Sequence, residues 1–114
     1  MAKGHQVING IMLFIDNHMI PKAEGNYKVI LRTARAGMMI APDKFWEIIK
    51  TNPLIEMVGA VKGDELDVEL LAEMLKEGFD NEGFCFEFEF LGSHYKIHFD
   101  KDDVSTLKNY IVRS

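Results

Sequence analysis

Residues 84–99 read "FCFEFEFLGSHYKIHF", and the fold turns on how this stretch pairs with itself. Phe84, Phe86, Phe88 and Phe90 alternate with Cys85, Glu87 and Glu89, and Tyr95, Ile97 and Phe99 then alternate with His94, Lys96 and His98. A period of two marks strands with one buried face. Glycine at the first central position of a tight loop suits a type II′ turn, so the turn is expected at Gly92 and Ser93. Counting outward, Leu91 faces His94, Phe90 faces Tyr95, Glu89 faces Lys96, Phe88 faces Ile97, Glu87 faces His98 and Phe86 faces Phe99. Every apolar pair then falls on one side of the hairpin.

That side must be covered, because an isolated two-stranded hairpin is marginal in water. Phe84, Phe86, Phe88, Phe90, Tyr95, Ile97 and Phe99 are therefore the candidate interface. The sequence leaves two covers open, the chain's own helices or a partner chain.

Outside the hairpin the apolar spacing changes from two to three and four. Val7, Ile8, Ile11, Met12, Phe14, Ile15 and Met19 predict a helix over Gln6–Ile20, ended by Pro21 and Gly25. In "NYKVILRTARAGMMIAP" (26–42), Tyr27, Ile30, Leu31, Ala34 and Met38 share one face and Lys28, Arg32 and Arg35 the other. Gly37 is the weak point of that helix, at about 1 kcal/mol relative to Ala. Pro42 starts a further helix through Phe45, Trp46, Ile48 and Ile49, and Asn52 and Pro53 stop it. "LIEMVGAV" (54–61) reads as a brief helix and an irregular or extended link into the turn "KGDE" (62–65).

Asp67 is the expected N-cap of a helix carrying Leu70, Leu71, Met74 and Leu75 and fading at Gly78, and "DNEG" (80–83) is a turn. Asp100 caps the last helix, with Asp102 and Asp103 in its first turn, where the helix dipole favours acids. The expected fold is α+β: a single domain spanning residues 1–114, with four to five helices and one antiparallel hairpin, about residues 84–99, between the last two. A composition of 47% hydrophobic and 27% charged residues is that of a globular chain, and its core should be rich in Met and Phe.

Charge narrows the function. A formal net charge of -5 disfavours a nucleic-acid partner, whose phosphates need clustered Lys and Arg. The local basic run Lys28, Arg32 and Arg35 reads as a solvated helix face with room for an acidic group. A lone cysteine, Cys85, excludes an internal disulfide and fits a reducing compartment. The N-terminal apolar stretch is broken by Asn9, Asp16, Asn17 and His18, which fits neither a leader nor a membrane span, so a cytoplasmic protein without a membrane partner is expected.

Chemistry-bearing residues are few. Glu87 and His98 would lie about 5 Å apart across the strands and form a two-ligand metal pair, but His94 is about 13 Å from His98 along its strand, so further ligands are lacking. Cys85 shares a face with His94, His98 and Glu87, and the glutamate charge would raise its thiol's pKa, against a nucleophilic role. Phosphate-binding glycine loops, GxSxG elbows and HExxH pairs are absent from the sequence. The reading is of a protein that is not an enzyme, with no cofactor and no metal.

The phrases "KGHQVINGIMLFIDNHMIPKA" (3–23), "VKGDELDVELLAEMLKEG" (61–78) and "YKIHFDKDDVSTLKNYI" (95–111), in that order, give the chain a general patterning that resembles small uncharacterised proteins of Firmicute phages and prophages. The resemblance implies a phage-encoded accessory or virion-related protein in the bacterial host cytoplasm or associated with the virion. It carries no functional residues over. Two functions are expected from charge and patterning. One is a structural or assembly component that docks a phage partner or forms a homo-oligomer through apolar faces and the hairpin edge. The other is a small acidic inhibitor of a basic site on a host protein, with Glu65, Asp67, Glu69, Glu73, Glu87 and Glu89 as contacts.

Overall fold

Apolar residues spaced three and four apart from Val7 onward form helix α1 (Gly4–Phe14), preceded by the short strand β1 (Ala2–Lys3). The computed structural model describes residues 1–77 and 84–113, the side chains of Phe84, Val112 and Arg113 excepted. Helical backbone continues through a wide π turn over Ile15–Met19 and a 3-10 turn over Ile20–Lys22 containing Pro21, slightly past the expected end. Then follow α2 (Asn26–Ile40) and α3 (Pro42–Lys50), the latter with proline in its first turn as expected.

The link after α3 departs from expectation. Asn52 caps a five-residue helix, α4 (Pro53–Met57), and the chain then makes β2 (Val61–Lys62), a turn with Gly63 at φ 62°, and β3 (Glu65–Leu66). Strand β3 lies between β1 and β2, antiparallel to both, so the chain holds a small three-stranded sheet besides the hairpin. Strands of two residues carry no detectable period, which is why the sequence showed a link where the structure has a sheet.

Asp67 caps α5 (Val68–Lys76) as expected, its Oδ1 accepting from the Leu70 N–H at 3.0 Å. The hairpin strands are β4 (Phe84–Phe90) and β5 (Ser93–Phe99), and α6 (Lys101–Arg113) closes the described chain. Asp100 and Asp103 cap its start reciprocally: the Asp103 N–H donates to Asp100 Oδ1 at 2.7 Å, and the Asp100 N–H donates to Asp103 Oδ2 at 3.1 Å. The architecture is α+β with six helices, against four to five expected, because the Asn52 cap makes α4 a helix of its own. The expected turn at residues 80–83 and the helix end at Gly78 lie outside the described residues.

One cluster of buried side chains draws on α1, α2, α3, α5, α6 and both hairpin strands. Its largest members are Phe14, Phe86 and Phe99 with isoleucines and leucines, whereas Met39 and Met57 are exposed, so the core is rich in Phe and Ile rather than Met. Two glycines that weaken their helices on propensity are explained by packing. A Cβ on Gly37 would stand 2.8 Å from the Phe45 ring, and one on Gly10 would stand 2.9 Å from the Ile111 Cα. Close approach of α3 to α2, and of α6 to α1, depends on these missing methyls.

Candidate interaction surface

The hairpin forms, but with a different turn. Leu91 and Gly92 are its central residues, at φ 52° and 80°, and Phe90 pairs with Ser93. Positive φ at both positions is the type I′ arrangement, whose twist matches the strands. The register is Phe86 opposite Ile97, Glu87 opposite Lys96, Phe88 opposite Tyr95, Glu89 opposite His94 and Cys85 opposite His98. Relative to the type II′ expectation one strand has slid by two residues. A slide of two keeps every side chain on its face, so the aromatic side is as expected while each cross-strand pair is new.

The aromatic side is covered from within the chain. Phe86, Phe88, Ile97 and Phe99 are buried among the helices, with Phe86 and Phe99 stacked at 5.7 Å and Phe88 on Phe45 at 5.2 Å. Of the candidate interface, only Phe90 and Tyr95 are half-buried and within reach of a partner; the Phe84 side chain lies outside the described residues. Beyond them, at the tip, Leu91 is 90% exposed.

The backbone has an equally uneven distribution of partners. In a hairpin with a two-residue loop the flanking pair, Phe90 and Ser93, is hydrogen-bonded, and hydrogen-bonded pairs then alternate. Cys85, Glu87 and Glu89 on β4, and His94, Lys96 and His98 on β5, therefore direct their N–H and C=O groups outward. Two such groups near the base are capped by side chains. Asn52 Nδ2 donates to the Cys85 carbonyl at 2.7 Å while its Oδ1 accepts from the Leu54 and Ile55 N–H groups at 3.0 and 3.3 Å. The His98 backbone N–H donates to the Tyr27 phenolic oxygen; burial nevertheless raises the Tyr27 pKa above its ordinary value, against that hydrogen bond. The sheet has two strands, so toward the tip no third strand among the described residues meets either edge.

The outer face carries acids on β4 and bases on β5. His94 lies between two carboxylates, its Nε2 3.6 Å from Glu87 Oε2 and its Nδ1 3.9 Å from Glu89 Oε1, all well exposed. Exposed pairs of this kind contribute well under about 1 kcal/mol. The expected Glu87 and His98 metal pair does not stand face to face, because the register gives Glu87 to Lys96 and His98 to Cys85. Among the described residues no three His, Cys, Asp or Glu side chains gather as a metal would require.

Elsewhere the expected binding groups are locally engaged. Arg35 Nε reaches Asp16 Oδ2 at 3.0 Å, leaving Arg32 as the exposed member of the basic run. Glu65 sits between Lys3 and Lys62 on its two neighbouring strands. Glu69 and Glu73 share a surface cleft with Lys76 and Lys108. No helix among the described residues is long and apolar enough to cross a membrane. Sequence reasoning missed Asn52, Tyr27 and Leu91. Asn52 before Pro53 is an N-cap signature and was readable, whereas the roles of Tyr27 and Leu91 depend on tertiary placement.

No protein-family model, curated protein or solved structure matches this chain.

Proposed function

We propose that this is a small, non-enzymatic, phage-derived structural or assembly protein that acts through protein–protein contacts and self-associates, in the bacterial cytoplasm or on the virion. The observation that carries this reading is the hairpin tip. Leu91, 90% exposed, projects from a two-stranded sheet whose aromatic side is already packed and whose edges meet no third strand among the described residues. Exposed strand edges are pairing surfaces, and an exposed apolar tip beside them adds area to a contact. The phage origin rests on the resemblance of the sequence phrases alone.

The inhibitor reading has less behind it. Its acidic candidates are divided between β3, α5 and the hairpin, and most stand beside lysine or histidine, so they make no single acidic face.

Light scattering over a concentration series tests the reading. Average mass is expected to rise above that of the monomer as protein concentration increases. A monomer at every concentration would remove self-association from the proposal.

A further inference from the structure

The open part of the hairpin has a polarity that selects how copies can meet. Near the base, the Cys85 carbonyl is capped by Asn52 and the His98 N–H by Tyr27. Toward the tip the outward backbone belongs to Glu87 and Glu89 on β4 and to His94 and Lys96 on β5. A like edge brought against itself, β4 on β4 or β5 on β5, would place acids against acids or bases against bases at about 5 Å, which is destabilising. A β4 edge brought against a β5 edge places Glu87 and Glu89 beside Lys96 and His94. The charges that guard each edge against its own kind thus favour the other kind. Beside β4 a groove of about 370 Å³ runs between Ile48 and Pro53 on one wall and Cys85 and Glu87 on the other, leaving space along this edge.

We infer that the self-association proposed above, on which this inference rests, runs head to tail: the open edge of β4 in one copy pairs antiparallel with the open edge of β5 in the next. Repeating the hairpin's own register across the contact sets Glu87 opposite Lys96 and Glu89 opposite His94 of the neighbouring copy. Strands then alternate acidic and basic through a continuous antiparallel sheet. Such a contact is heterologous, so it grows into a chain or closes into a ring and never stops at a symmetric dimer.

The test uses the whole chain, with two charge-reversed variants, Glu87→Lys/Glu89→Lys and His94→Glu/Lys96→Glu. Each alone is expected to scatter as a monomer at concentrations where wild type is larger, and mixing the two in equal amounts is expected to recover the larger mass. Hydrogen exchange on wild type, which needs no variant to fold, should slow at the amides of Glu87, Glu89, His94 and Lys96 as concentration rises. A wild-type mass that levels at twice the monomer, variants that associate like wild type, a mixture that stays monomeric, or unchanged exchange at those four amides in the associated state overturns head-to-tail pairing but leaves self-association standing. A wild-type monomer throughout overturns both.

Discussion

At the base of the hairpin Ile97 and Phe99 are fully buried and an outward backbone group on each edge is capped, whereas at the tip Leu91 is 90% exposed and the edges are uncapped. The same alternation runs through both ends, so it is not the strand pattern that separates them. The difference is where the rest of the chain reaches: α6 follows the base directly, the α3–α4 corner touches β4 through Asn52, and α2 lends Tyr27 to β5. A hairpin is held where its neighbours satisfy its backbone as well as its side chains.

Asn52 offers the strongest way to break this contrast. Its side chain is 8% exposed and makes three hydrogen bonds, two as the cap of α4 and one to the Cys85 carbonyl. Replacing it with alanine removes a cap and strands a partly buried carbonyl, together about 3 kcal/mol. Urea denaturation of Asn52→Ala should show that loss, and Asn52→Asp, which keeps the cap acceptor but not the donor, should show part of it. A loss below about 0.5 kcal/mol in the alanine variant would mean the base is held by packing alone.

The contrast also explains what the sequence could disclose. The faces of β4 and β5 were legible because a period of two assigns every side chain, and Asp67 and Asp100 were legible as caps because their short acceptors precede apolar periodicity. Register was not legible, since sliding by two residues preserves both faces, and the choice fell to backbone angles at Leu91 and Gly92. The candidate metal pair of Glu87 and His98 was lost with that slide. The three-stranded sheet was hidden by its two-residue strands, and Gly37, which looked like a weak point of a helix, proved to be the place where Phe45 comes close. As for the interaction surface, the aromatic residues were legible as a face to be covered, but only the packed helices decide that the cover is internal.

Leu91 allows the tip to be sharpened rather than broken. A leucine at φ 52° suffers the Cβ clash of the left-handed region, about 1 kcal/mol, and its exposed side chain recovers little in return within the monomer. Leu91→Asn creates the Asn-Gly pair that type I′ turns prefer and should stabilise the monomer by about 1 kcal/mol, raising the midpoint of thermal unfolding by a few degrees. If the variant instead melts earlier at low protein concentration, the leucine contributes packing to the monomer and the tip is less open than its exposure indicates.

The smallest expected effect returns to the base. Asp103, which caps α6 together with Asp100, has its carboxyl pKa raised above the ordinary 3.8; burial is the main cause, the Asp100 backbone N–H opposes it, and the Asp100 charge adds to it. A raised carboxyl pKa means that the folded protein favours the protonated form. Its contribution to stability is therefore fully present below the unfolded value near 3.8 and is lost as pH rises through the folded value. Asp103→Asn keeps a side-chain oxygen for the Asp100 N–H and cannot ionise, so it should flatten the decline in stability over the weakly acidic range. The same substitution removes a charge that pushes the Tyr27 pKa upward at the edge of β5. Denaturant unfolding of both proteins across that pH range gives the comparison, and an identical slope in the two would show that Asp103 titrates alike folded and unfolded. In that case the base of the hairpin would be held by the Asn52 and Tyr27 hydrogen bonds and by aromatic packing, with no contribution from charge.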